Sequence, residues 1–137
     1  MNSLDLIKKH EGLRLKPYTC TAGKISIGIG RNLEDNGISE EMAMDMLLED
    51  MQWVYDALGQ YSWYGELDEV RQAVVENMMF NLGANRFAGF RKTIGFIADG
   101  LFHKASEEML DSAWSRQVGN RSHELSLMME TGNWIEE

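Results

Sequence analysis

The sequence predicts a mainly α, α+β fold: a small lobe built on a β-hairpin, a long connecting helix and a larger helical lobe. Three observations lead there. Ile25, Ile27 and Ile29 alternate with Ser26, Gly28 and Gly30, the two-residue period of a strand. Ala43, Met46, Leu47, Val54, Ala57 and Leu58 mark one face over about twenty residues, the period of a helix. From residue 68 onward helical patterns follow one another, punctuated by Gly100, Gly119 and Gly132. A chain of 137 residues with a single proline has the length and make-up of one folded domain.

The elements follow in order. Leu4, Ile7 and Lys8 fall three and four apart and Gly12 follows Glu11, so a short first helix over about 2–11 ends where Glu11 stands. Ala22-Gly23 supplies a turn ahead of the isoleucine strand, which is then the second arm of a hairpin. Its isoleucine face is expected to be buried, leaving a face of serine and glycine, Gly30 included. That face is either a cleft floor open to another molecule or a bulged, tightly packed strand.

Asn36-Gly37 makes a turn, and Ser39 can cap the connecting helix, whose first turn holds Glu40 and Glu41 near the positive helix end. Residues 59–66 read as a loop with aromatic anchors, and residues 68–82 as a helix with Asn77 and Asn81 on an otherwise apolar side. Buried amides there need hydrogen-bond partners. Residues 87–90 read as a connector, with helices over 91–98, 104–115 and 117–130. The whole is one domain over 1–137: small lobe about 12–37, connecting helix about 39–58 and helical lobe about 66–137, with the first helix packing near the latter.

Charge narrows the function classes. Thirteen Lys and Arg stand against 22 Asp and Glu, a formal charge of -9, which repels nucleic acid and anionic membranes. Residues 1–10 carry Asp5, Lys8 and Lys9 among few apolar side chains, so no signal-peptide core is expected, nor is membrane insertion. The lone Cys20 makes no intrachain disulfide. P-loop, HExxH, CxxC and GxSxG patterns are absent, and His10, His103 and His123 lack ligand spacing, so neither a metal nor an organic cofactor is expected. Trp114 and Trp134, at the ends of helical patterns, read as core.

One carboxylate stands out: Glu11 at a helix end, with Cys20 nine residues on and Ser26 six further. The segment from His10 to Arg31 resembles the active-site region of the T4-type phage lysozymes, whose motif is Glu, then Asp or Cys, then Thr at that spacing. The resemblance continues at Asn77 through Gly83, at Ala88-Gly89-Phe90, from Trp114 through Arg121, and at Thr131 through Trp134. It implies a lysozyme-like fold and a muramidase that hydrolyses the β-1,4 bond between N-acetylmuramic acid and N-acetylglucosamine of peptidoglycan.

By that resemblance Glu11 is the general acid, and Cys20 and Ser26 position water for single-step inversion. Cysteine for aspartate removes a negative charge, and a neutral thiol is a poor base, so the thiol either holds water, acts as thiolate base or nucleophile, or is dispensable. Gly30, Asn32, Phe80, Asn81 and Thr93 are the implied substrate-binding residues. Arg121 is implied to approach and orient Glu11, and Arg31 to pair with Asp50, while Asn77 reads as a buried polar tie between helices. The chain is shorter than the T4-type enzymes between Arg31 and Asn36, which implies a trimmed small lobe. The implied partner is the glycan strand, met by a monomer that waits in the host cytoplasm for a holin or is packed in a virion. Acidic charge against an anionic wall implies faster action when salt screens the repulsion. A non-catalytic binding or virion module on the same fold is the alternative, and a transglycosylase leaving anhydro ends is a third class.

Overall fold

The computed structural model describes residues 1–135 and divides the chain into two units, Met1–Leu48 and Glu49–Glu137. The fold is mainly α with a small antiparallel sheet, as the sequence predicts.

In the first unit, helix α1 (Ser3–Glu11) opens with a capping box in which Asn2 and Asp5 satisfy each other's backbone N–H. It closes with the Gly12 N–H on the Lys8 carbonyl, so Glu11 is its last residue. Strands β1 (Arg14–Thr19), β2 (Ile25–Gly28) and β3 (Arg31–Asn32) form one antiparallel sheet in that order. The hairpin turn is closed by Cys20 N–H on Lys24 O at 2.8 Å and Gly23 N–H on Cys20 O at 2.9 Å.

One expectation changes here. The buried side chain of β2 is Ser26, while Ile25 and Ile29 are exposed. Ser26 pairs with Tyr18 on one side and Asn32 on the other, so its face of the central strand is the one its neighbours cover. The shortened stretch after Arg31 still holds a two-residue strand and one helical turn, α2 (Leu33–Asn36). Lys24 Nζ bridges Glu34 at 3.5 Å and Asp35 at 3.3 Å, tying that turn to the hairpin.

Helix α3 (Glu40–Leu58) starts where Ser39 Oγ accepts the Met42 N–H, and the division between the units falls within it. The second unit continues with a 3-10 turn (Tyr64–Glu66), α4 (Glu69–Leu82), α5 (Ala84–Ala88), α6 (Arg91–Ala98), α7 (Phe102–Leu110), α8 (Ala113–Val118) and α9 (Asn120–Thr131). The expected helix over 104–115 is two helices: Ser112 accepts the Ser115 N–H and starts α8 afresh. The first two residues of the expected connector 87–90 are the end of α5.

The core lies in this second unit. Val54, Leu58, Val74, Val75, Met78, Met79, Phe87, Met109 and Met129 are almost fully buried. Each such side chain contributes about 1.5–3 kcal/mol by leaving water. Small polar residues thread between α7, α8 and α9: Ser115 and Ser122 hydroxyls meet at 2.8 Å, and Ser126 Oγ donates to Ser106 O at 3.0 Å. Trp114 is buried as expected, whereas Trp134 is 57% exposed, because α9 stops at Gly132 and the chain beyond it is no longer helical.

Candidate active site

The first unit brings Glu11 and Gly30 together. The end of α1 delivers the Glu11 side chain onto the turn between β2 and β3, where a Cβ on Gly30 would stand 2.5 Å from Glu11 Oε2. Cys20 opens the hairpin turn, its N–H on Lys24 O at 2.8 Å, and Ser26 is the second residue of β2. The backbone N–H groups of Lys24 and Ala22, assisted by the Ser26 hydroxyl, hold the Cys20 thiol below its ordinary value, against a smaller opposing push from burial. Ser26 Oγ also reaches Lys24 O at 3.3 Å. A half-buried cysteine whose pKa is lowered in this way favours the thiolate.

Two neighbours have local duties. Asn32 caps α2, its Oδ1 accepting from Asp35 N at 3.0 Å and its Nδ2 donating to Asp35 Oδ2 at 2.9 Å. Arg31 Nε donates to the Gly37 carbonyl at 2.9 Å.

In the second unit, Phe80 lies exposed on α4. Beside it Asn81 Oδ1 accepts from Trp114 Nε1 at 2.8 Å, which turns the Asn81 amide nitrogen away from the indole. Arg121 Nε donates to Asn77 Oδ1 at 2.8 Å. Asn77 is exposed, so the expectation of a buried tie gives way to an amide that holds a guanidinium at the surface. Thr93, 3% exposed, lines a cavity of about 530 Å³ with Arg86, Phe90, Lys92, Glu108 and Trp114. Cations on α5 and α6 and the Glu108 carboxylate on α7 give that cavity both signs of charge. Asp50 is an exposed residue of α3.

Among the described residues no group of three His, Cys, Asp or Glu side chains gathers as metal ligands. No described helix is long and apolar enough to cross a membrane.

Residues 8–127 match the sequence family described as Phage lysozyme. The chain belongs to this family. The probable T4-type lysozyme 1 of Dictyostelium discoideum is 26% identical over 93% of this chain and 93% of its own. The endolysin of Salmonella phage P22 is 31% identical over 64% of this chain and 65% of its own. The pre-baseplate central spike protein Gp5 of Enterobacteria phage T4 is 26% identical over 97% of this chain, a stretch that makes up 28% of Gp5. Membership in the phage lysozymes carries peptidoglycan-lytic glycoside hydrolase activity at the level of the family. Trp114 is more than the core bulk that its position predicts: a buried indole N–H requires an acceptor, and Asn81 is one.

Proposed function

We propose that the chain is a muramidase that hydrolyses the β-1,4 bond between N-acetylmuramic acid and N-acetylglucosamine, with Glu11 protonating the leaving oxygen. Cys20 and Ser26 hold the water that attacks the opposite sugar face, giving inversion. The observation that carries the reading is the spacing of Cys20 and Ser26 from Glu11, which is the family's own, on a hairpin whose Lys24 and Ala22 amides lower the Cys20 pKa. A site of this kind places a water oxygen between fixed donors without asking the thiol to be a strong base. Phe80, Asn81 and Thr93 supply glycan contacts, with Gly30 and Asn32 contributing backbone and side-chain polar groups.

The protein acts as an endolysin on the periplasmic wall of its host, reaching it through a holin pore or from a virion. Digestion of purified Gram-negative sacculi, followed by mass spectrometry of the soluble fragments, tests this. Reducing N-acetylmuramic acid ends are expected; anhydro ends would assign a transglycosylase.

The likeness of nearly the whole chain to part of a pre-baseplate central spike protein supports a second reading, a wall-binding module carried in the virion without turnover. Sacculi that pellet with the protein and stay intact would favour it.

A further inference from the structure

We infer that Gly30 is a positioning residue for the Glu11 carboxyl, acting through the space its missing side chain leaves. The inference rests on the reading of Glu11 as the acid. A Cβ built on Gly30 falls 2.5 Å from Glu11 Oε2 and 2.8 Å from Cδ, too close for both atoms, and 3.1 Å from Cγ, a tight contact. The exposed Glu11 side chain is the most flexible group at this contact. Glu11 is held by the last turn of α1, closed by the Gly12 N–H on Lys8 O. Gly30 lies between β2 and β3, whose register is set by the Ser26–Asn32 and Ile27–Arg31 pairs. The part that can move is the carboxyl itself. A side chain at position 30 therefore displaces the acid instead of unfolding the lobe.

Gly30 also has a φ of +69°, which alone favours glycine. Gly28 separates the two causes. Its φ is +74°, and nothing lies within 4 Å of a Cβ built there. Alanine at 28 meets backbone strain alone, whereas alanine at 30 meets the same strain and the carboxyl.

The experiment compares Gly30→Ala and Gly28→Ala for kcat and KM on soluble glycan fragments, for melting temperature, and for the 13C resonance of the Glu11 carboxyl. Misplacing a reacting group by about 1 Å costs on the order of a hundredfold. Gly30→Ala is expected to lose kcat at least about tenfold beyond Gly28→Ala, with KM within about twofold of it. The melting temperatures fall together, and the Glu11 resonance moves only in Gly30→Ala. Equal kcat in the two variants, or an unmoved resonance, overturns the inference. Gly30→Asn, which tolerates positive φ and still carries a Cβ, gives the same readouts should the alanine variant not fold. A Glu11→Gln protein as active as its parent would instead remove the acid assignment, while the resonance still decides whether Gly30 places the carboxyl.

Discussion

Trp114 on α8 and Asn81 on α4 are joined by one hydrogen bond, indole Nε1 to amide Oδ1 at 2.8 Å, with the indole buried and the amide exposed. The bond does two things: it satisfies a donor that water cannot reach, and it fixes which end of the amide faces outward. Asn81→Leu leaves the indole N–H unpaired and is expected to cost about 1–3 kcal/mol of stability. Urea unfolding followed by tryptophan fluorescence measures it; a midpoint equal to the parent's would show the donor finds another partner.

Arg71 closes the C-terminal end of α9. Its Nε donates to Met129 O at 2.6 Å and its Nη2 to Glu130 O at 2.9 Å, while its guanidinium lies 3.9 Å from the Phe102 ring centre. Gly132 packs against that guanidinium: a Cβ there would meet Nη1 at 2.9 Å, at a φ of +70°. Gly132→Ala is expected to cost about 1–2 kcal/mol from the left-handed backbone alone, and more as Arg71 is displaced. Thermal unfolding of Gly132→Ala, Arg71→Met and the double variant reads this, with the two losses less than additive.

His103 gives a pH dependence whose sign is fixed. Its Nδ1 lies 2.7 Å from Glu130 Oε1 of α9, and its Nε2 lies 2.7 Å from Glu107 Oε1 of its own helix. The hydrogen bond to Glu130, then the charges of Glu107 and Glu130, raise its pKa above the ordinary histidine value. The stabilisation is therefore complete below the unfolded-state value and fades as pH rises through the folded one. The urea midpoint is expected to fall across that window in the parent and to lose that component in His103→Gln.

Much of this was legible in the sequence because the signals are local. Ser39 caps the helix it precedes, and Glu11 ends the first one, since a cap and a stop need only neighbouring residues. Glu11, Cys20 and Ser26 stand out in the sequence by spacing and by family resemblance. What periodicity could not supply was the face of β2 that is buried: alternation places Ser26 opposite the isoleucines, and only pairing to Tyr18 and Asn32 decides which side is covered. Likewise the break at Ser112 is invisible to a helical period, because the cap competes with the helix through one side-chain oxygen. The pressure of Glu11 on Gly30 joins residues far apart in sequence and leaves no pattern at all.

Cys20 is expected to react as a thiolate at lower pH than an ordinary thiol, because the Lys24 and Ala22 amides and then Ser26 favour the charged form. The pH dependence of iodoacetamide alkylation measures this. Ser26→Ala should move the midpoint upward by the smaller share, as the backbone donors remain. A parent midpoint at or above that of a free thiol would contradict the account. Cys20→Asp, which puts carboxylate oxygens in place of the sulfur to hold the water, is expected to retain activity on sacculi.

The central claim is tested most directly by Glu11→Gln, a near-isosteric change that removes only the proton to be transferred. Release of soluble reducing ends from sacculi should fall by about 10²–10⁴-fold while the unfolding midpoint stays close to the parent's. Release within about tenfold of the parent would contradict Glu11 as the general acid.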